Sequence, residues 1–185
     1  MPRSTIASLQ PDQLAWPSDA DAASDSLEAN HYYMPDIRLA RWEDVDRVFE
    51  LEEEILPSLV TAADPQAEWE KKSDRIAGRS SDVADDLFVA LDPGIASATL
   101  ALGAIGCIPF WSCNGGAFGG DHASDRPEVK FFARPSHVSA LKAAAKKAGA
   151  TLEQDEQGRC VVSADAVRVM QAFARVIREA LGAQS

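Results

Sequence analysis

Cysteine and histidine are scarce in this chain, three of each among 185 residues. An odd and small number of thiols cannot form the disulfide framework that staples a small secreted domain. The fold must therefore rest on a hydrophobic core, and a reducing cytoplasm is the expected compartment. Cations are also short, with 18 Lys and Arg against 29 Asp and Glu, a formal charge of −11 and a pI near 4.6. Nucleic-acid binding needs a basic stripe that releases counterions from phosphates. The nearest approach to one is Lys142, Lys146 and Lys147, which amounts to an ordinary solvated helix face. Nucleic acid is not expected as a partner; a basic protein or a small ligand suits the charge better. No apolar run approaches the ~20 residues of a membrane span. The N-terminus lacks the basic-then-apolar layout of a secretion signal, and no internal repeat is visible.

What is present is enough for one domain. The hydrophobic fraction is 46%, ordinary for a globular core. Residues 1–35, rich in Pro, Ser, Asp and Ala, read as a disordered or loosely docked tail in which Leu9, Leu14 and Trp16 could form a docking segment. Residues 36–185 read as a single domain. Residues 36–40 alternate as a strand. Trp42, Val45, Val48, Phe49, Ile55 and Leu56 then recur at helical spacing, with Pro57 closing or kinking the helix. The outer face of that helix, within residues 43–56, carries Glu43, Asp44, Asp46, Glu50, Glu52, Glu53 and Glu54 against Arg47 alone. It is a solvated face or a docking surface for a basic protein partner.

Asp64 and Pro65 open a helix that Gly78 ends. Leu87–Leu91 reads as a buried strand, followed by Asp92, placed to cap a small-residue helix over 95–104. Residues 107–112 and 128–133 read as strands, with a helix from Ser136 to Ala148 stopped by Gly149. A hairpin follows around 155–158, then an amphipathic helix bearing Val167, Met170, Phe173, Ile177 and Leu181. The fold class is α+β or α/β: helices on a small mixed sheet containing a βαβ unit.

The stretch Cys107-Ile108-Pro109-Phe110-Trp111-Ser112-Cys113-Asn114-Gly115-Gly116-Ala117-Phe118-Gly119-Gly120-Asp121-His122 is the part that reads as a site. In a βαβ unit the strands 87–91 and 107–112 would run parallel and end on one edge of the sheet. Ligands bind outside such carboxyl ends. Asp92, Cys113, Asn114, His122 and Glu128, the last on a returning strand, should then converge. Cysteine becomes a nucleophile when a histidine or converging N–H groups favour its thiolate. This reading makes Cys113 the nucleophile, His122 its base and Asp92 or Asp121 the orienter. Asn114, Gly115, Gly116, Gly119 and Gly120 would supply an N–H nest for a small or anionic ligand. The bland alternative is a strand-end cysteine that only packs, beside a long turn. Cys113, His122, Asp121 and Asp125 could offer metal ligands, yet no Cys-x-x-Cys or His-x-x-x-His pairing supports them, and no metal is expected. Cys107 lies too far along an extended strand, roughly 20 Å from Cys113 at ~3.3 Å per residue. Cys160 reads as core, and His31 and His137 as surface residues.

Ile37-Arg38-Leu39-Ala40-Arg41-Trp42-Glu43-Asp44 resembles the first strand and helix of GNAT-type acetyltransferases, although that family's acetyl-CoA loop has no counterpart downstream. Phe110-Trp111-Ser112-Cys113-Asn114-Gly115-Gly116 looks like a segment of uncharacterised bacterial proteins in which an apolar strand ends in Ser-Cys-x-Gly-Gly. That resemblance implies a bacterial protein and no particular function. The same segment is faintly similar to the Ser-Ser-Cys-Ser-Gly segment of wybutosine-type tRNA methyltransferases. The arginine that tends to follow there is Gly116 here. Cys-Asn-Gly-Gly also occurs in papain-like proteases, outside their nucleophile motif. The function expected from the residues is a Cys113-centred loop that binds a small or anionic ligand, with cysteine-dependent catalysis as its stronger form. The alternative is an acidic interaction protein: an antitoxin, an immunity protein or an accessory subunit of a larger assembly.

Overall fold

The structure, a computed structural model, describes residues 9–20, 37, 40–78, 83–120 and 122–182. These form helices α1 (Trp42–Thr61), α2 (Pro65–Ala77), α3 (Val83–Ala90) and α4 (Ala96–Ala104), strands β1 (Ile108–Asn114) and β2 (Pro127–Phe132), helix α5 (Val138–Ala148), strands β3 (Thr151–Gln154) and β4 (Cys160–Ser163), and helix α6 (Val167–Leu181). The strands form one sheet in the order β1-β2-β4-β3, antiparallel at every pairing. The class is α+β. Among the described residues no helix is long and apolar enough to cross a membrane.

The expected βαβ unit is not there, because residues 87–90 belong to a helix. The apolar run Leu87–Leu91 has no period of its own and is equally compatible with strand and helix. Ala84, Leu87, Phe88 and Leu91 are the buried apolar residues of this segment. Read from Ala84 they fall at i, i+3, i+4 and i+7, the stripe of an amphipathic helix. The expected strand at 36–40 falls mostly outside the described residues. Pro57 does not end its helix, which continues to Thr61. The Ser58 and Thr61 hydroxyls donate to the carbonyls of Ile55 (2.7 Å) and Pro57 (3.0 Å) in its last turns.

α4 lies at the centre. Every residue from Ala96 to Gly103 is buried, so the helix is apolar or small on all sides, as a helix enclosed by other elements must be. It packs on α1, α6, β1 and β2. Gly103 lies so close to the Ile37 carbonyl that a Cβ could not be accommodated. Val129, Phe131, Leu152, Cys160 and Val162 present the inner face of the sheet to Leu100, Leu141, Phe173 and Ile177. Within the expected tail, residues 9–16 lie along the β3–β4 hairpin. Ala15 donates to the Gly158 carbonyl at 2.9 Å, Gln154 donates to the Gln13 carbonyl at 3.0 Å, and Leu9 is 3% exposed.

The acidic face of α1 is largely consumed inside the molecule. Asp44 and Glu52, expected on the outer face, are both buried. Asp44 accepts from the Arg41 N–H at 2.7 Å and closes the helix start. Asp46 receives Arg178 through two bonds of 2.9 and 2.8 Å, and Glu53 receives Arg175 at 2.5 Å. Glu52 is fully enclosed between α1, α4 and α6. It accepts from the Ser97 N–H (3.2 Å) and Gln171 Nε2 (2.9 Å). Ser97 is in the first turn of α4, so the carboxyl sits where unpaired helix N–H groups favour it.

Burial raises the pKa of Glu52, and the hydrogen bonds from Ser97 and Gln171 only partly oppose this. A carboxyl whose folded pKa is raised holds its proton longer in the folded state. Its contribution to stability therefore falls as pH rises from about 4, the ordinary carboxylate value, and levels off above the folded pKa. Urea unfolding should show wild type losing stability relative to Glu52→Gln over that window. A pH-independent difference would mean the carboxyl is not held neutral. Glu52→Ala strands two buried donors and should cost about 1–3 kcal/mol per donor at any pH.

Candidate functional site

β1 is an edge strand with one irregularity, and that irregularity sets the site. Ile108 pairs with Phe132 and Pro109 with Phe131, but the register then shifts so that Trp111 pairs with Lys130 and Cys113 with Glu128. Phe110 is the extra residue of a β-bulge, and an inserted residue reverses which side chains face the core. Beyond the bulge Cys113 shares the outer sheet face with its cross-strand partner Glu128. Without it, Cys113 would alternate into the helical layer. Ile108, Phe110 and Phe132 form a separate small apolar cluster on the outer face, partly covered by Trp16 and Trp111.

Asp92 lies in the turn between α3 and α4, not at a strand end. It does not cap α4, whose N-cap is Ile95. Its carboxylate instead accepts the Asn114 N–H at 3.0 Å. The Asn114 side chain in turn donates to the Pro93 carbonyl at 3.3 Å. The convergence expected from parallel strands therefore occurs for another reason. α4 leads by a tight turn into β1, so the start of the helix lies beside the end of the strand.

After Asn114 the chain enters the glycine loop. Gly115, Gly116, Gly119 and Gly120 all have positive φ, between 69° and 87°. A Cβ on Gly115 would run into the Arg126 backbone on the returning arm. Phe118, 4% exposed, pins the loop into the main core. The loop brings His122 back over Cys113, with Cys113 Sγ 3.5 Å from His122 Nδ1 and Asp92 Oδ2 3.6 Å from that same nitrogen. The three donor atoms lie within 4.8 Å of one another. On its other side His122 Nε2 lies 2.6 Å from the Gly119 carbonyl. A carbonyl can only accept, so Nε2 carries the proton and the Nδ1 lone pair faces the thiol. Cys113 is 4% exposed, and the His122 and Asp92 side chains 15% and 36%.

Cys113, His122 and Asp92 thus come together as expected, and three N–H groups of the glycine loop have partners within the chain. The Gly115 N–H points at Cys113 Sγ (3.4 Å), the Gly116 N–H at Asn114 Oδ1 (3.0 Å), and the Gly119 N–H at the Gly116 carbonyl (3.1 Å). Glu128 stands beside Cys113 but turns to Arg126 (3.9 Å) and Lys130 (3.7 Å). Asp125 is exposed and outside the cluster. Asp121 and His31 lie outside the described residues. Two participants have no signature in the sequence. The Gly119 carbonyl fixes the histidine tautomer, and Gln66, at the start of α2, lies against Gly119 and Gly120. A glycine between other glycines gives no hint that its carbonyl orients a ring, and Gln66 is remote in the chain.

A second Cys–His pair offers a contrast. Cys107 Sγ lies 3.4 Å from His137 Nδ1, but that nitrogen also receives the Arg134 N–H at 3.3 Å. Cys107 is 1% exposed, and burial pushes its thiol pKa well above the ordinary range. Burial likewise pushes Cys160 up to about 12. Both thiols are buried, and burial opposes their ionisation. No protein-family model matches this chain, and no curated protein or solved structure is significantly similar to it.

The loop geometry can be tested by substitution. Gly115→Ala should cost about 1–3 kcal/mol, from its positive φ and the Arg126 backbone, and lower Tm by several degrees. Gly116→Ala, whose Cβ would meet the His122 ring edge at 3.5 Å, should cost less. Equal effects would mean that the approach to Arg126 is not limiting.

Proposed function

We propose that the protein acts through the thiolate of Cys113, in a site for a small electrophilic ligand. The observation that carries this reading is that the Gly115 N–H and His122 Nδ1 both address one sulfur atom. His122 Nδ1 is placed to take the thiol proton, and the Asp92 carboxylate lies beside the resulting imidazolium. The remaining backbone donor lies against the sulfur, where it favours the anion. The ligand is small because the thiol is almost covered. With the N–H groups of Gly115, Gly116 and Gly119 committed internally, and thiolate and carboxylate side by side, the site favours an electrophile or cation over an anion. Free cysteines throughout accord with a reducing cytoplasm. The alternative, a docking surface on α1, draws less support, because Asp44, Asp46, Glu52 and Glu53 already have partners within the chain.

Alkylation of chelator-treated protein with iodoacetamide near neutral pH, read by peptide mass spectrometry, is the test. Cys113 should be modified at least ~10-fold faster than Cys107 and Cys160, whose burial opposes thiolate formation. His122→Gln should slow it several-fold while leaving the circular dichroism unchanged. Labelling of all three cysteines together, only on unfolding, would show that Cys113 merely packs.

A further inference from the structure

We propose that Asp92, Cys113 and His122 bind a zinc-type divalent metal ion, with a fourth coordination position left open. This inference rests on the thiolate reading of the same site and names the electrophile that the thiolate meets. It departs from the expectation of no metal, which was drawn from pairwise spacing motifs. Here the donors come from three separate segments: a helix–helix turn, the end of an edge strand and the return arm of a loop.

The distances carry the argument. Zinc bonds of about 2.3 Å to sulfur and about 2.0 Å to nitrogen or oxygen, at tetrahedral angles, place donor atoms about 3.3–3.6 Å apart. Cys113 Sγ and His122 Nδ1 are separated by 3.5 Å, and His122 Nδ1 and Asp92 Oδ2 by 3.6 Å. Two of the three edges that these donors would form are thus at tetrahedral length before any ion enters, and the third, between Cys113 Sγ and Asp92 Oδ2, is no longer than 4.8 Å.

The histidine supplies the second argument. In a nucleophile–histidine–carboxylate relay the two ring nitrogens divide the work, one toward the nucleophile and the other toward the carboxylate. Here both the sulfur and the carboxylate face Nδ1, and Nε2 is held by the Gly119 carbonyl. A ring whose far N–H donates to a backbone carbonyl while its other lone pair faces neighbouring donors is the arrangement of a metal-ligating histidine. The other two donors are supported in the same way, the Asn114 N–H on Asp92 and the Gly115 N–H on Cys113.

The donor set selects the ion. Thiolate, imidazole and carboxylate together suit zinc and disfavour magnesium or calcium, which take oxygen ligands. Three protein ligands leave a position for water or a substrate atom, as in catalytic rather than structural zinc sites. Asp92 is the most exposed of the three, so that position is reached from its side.

The test uses the full chain, stripped with chelator and loaded with zinc or cobalt(II). One zinc per chain should survive gel filtration. The cobalt form should show tetrahedral visible bands and a thiolate charge-transfer band that disappears in Cys113→Ser. Asp92→Asn and His122→Gln should each weaken zinc binding by more than about 100-fold, beyond the 10–100-fold typical of losing an outer partner. Their unfolding curves without metal serve as the control for folding. Zinc should also protect Cys113 from alkylation. If no stoichiometric metal binds but metal-free Cys113 is selectively reactive, the metal assignment falls and the thiolate reading stands. If Cys113 is inert with and without chelator and no metal binds, both fall. Metal retained without the charge-transfer band, or unaffected by Cys113→Ser, overturns this ligand set.

Discussion

The hydrogen bond from the Asn114 N–H to the Asp92 carboxylate holds the arrangement together. β1 lies at the edge of the sheet, where backbone groups of the last strand need partners from outside the ladder. Asp92 provides one, and in doing so ties the α3–α4 turn to the strand end. The same carboxylate is thereby fixed beside Cys113 and His122. A group that would otherwise be a helix cap becomes a wall of the site.

That bond matters only because the bulge at Phe110 has already turned Cys113 out of the core. One inserted residue moves a thiol from the helical layer to the opposite face. The chain holds three buried cysteines. Cys107 and Cys160 stay inside, where burial suppresses ionisation. Cys113 is covered instead by a histidine and a backbone amide.

Charge is used mostly within the fold. The net charge of −11 suggests a docking surface, yet several carboxylates of α1 are spent on the α1–α6 contact and on the start of α4. Exposed pairs such as Lys147–Glu179 contribute little individually. Glu52 is different: enclosed and hydrogen-bonded, it aligns α1, α4 and α6 around one carboxyl.

Local patterns in the chain were sufficient for much of this. Helical periodicity around Trp42–Leu56 and Val167–Leu181, Asp64 and Pro65 opening α2, Gly149 ending α5, and the hairpin at 155–158 are decided by residues within one or two turns of each other, and they are legible for that reason. The run 87–91 was ambiguous because a short apolar segment satisfies both periods until Ala84 is counted with it. The residues of the site were also visible, since a cysteine meeting four glycines and a histidine is uncommon in a core strand. Their relation was not. Sheet direction, the one-residue bulge, the Gly119 carbonyl on Nε2 and the approach of Gln66 depend on contacts between segments far apart in the chain. The sequence determined which chemical groups were available; packing around α4 decided that two of them would share a single ring nitrogen.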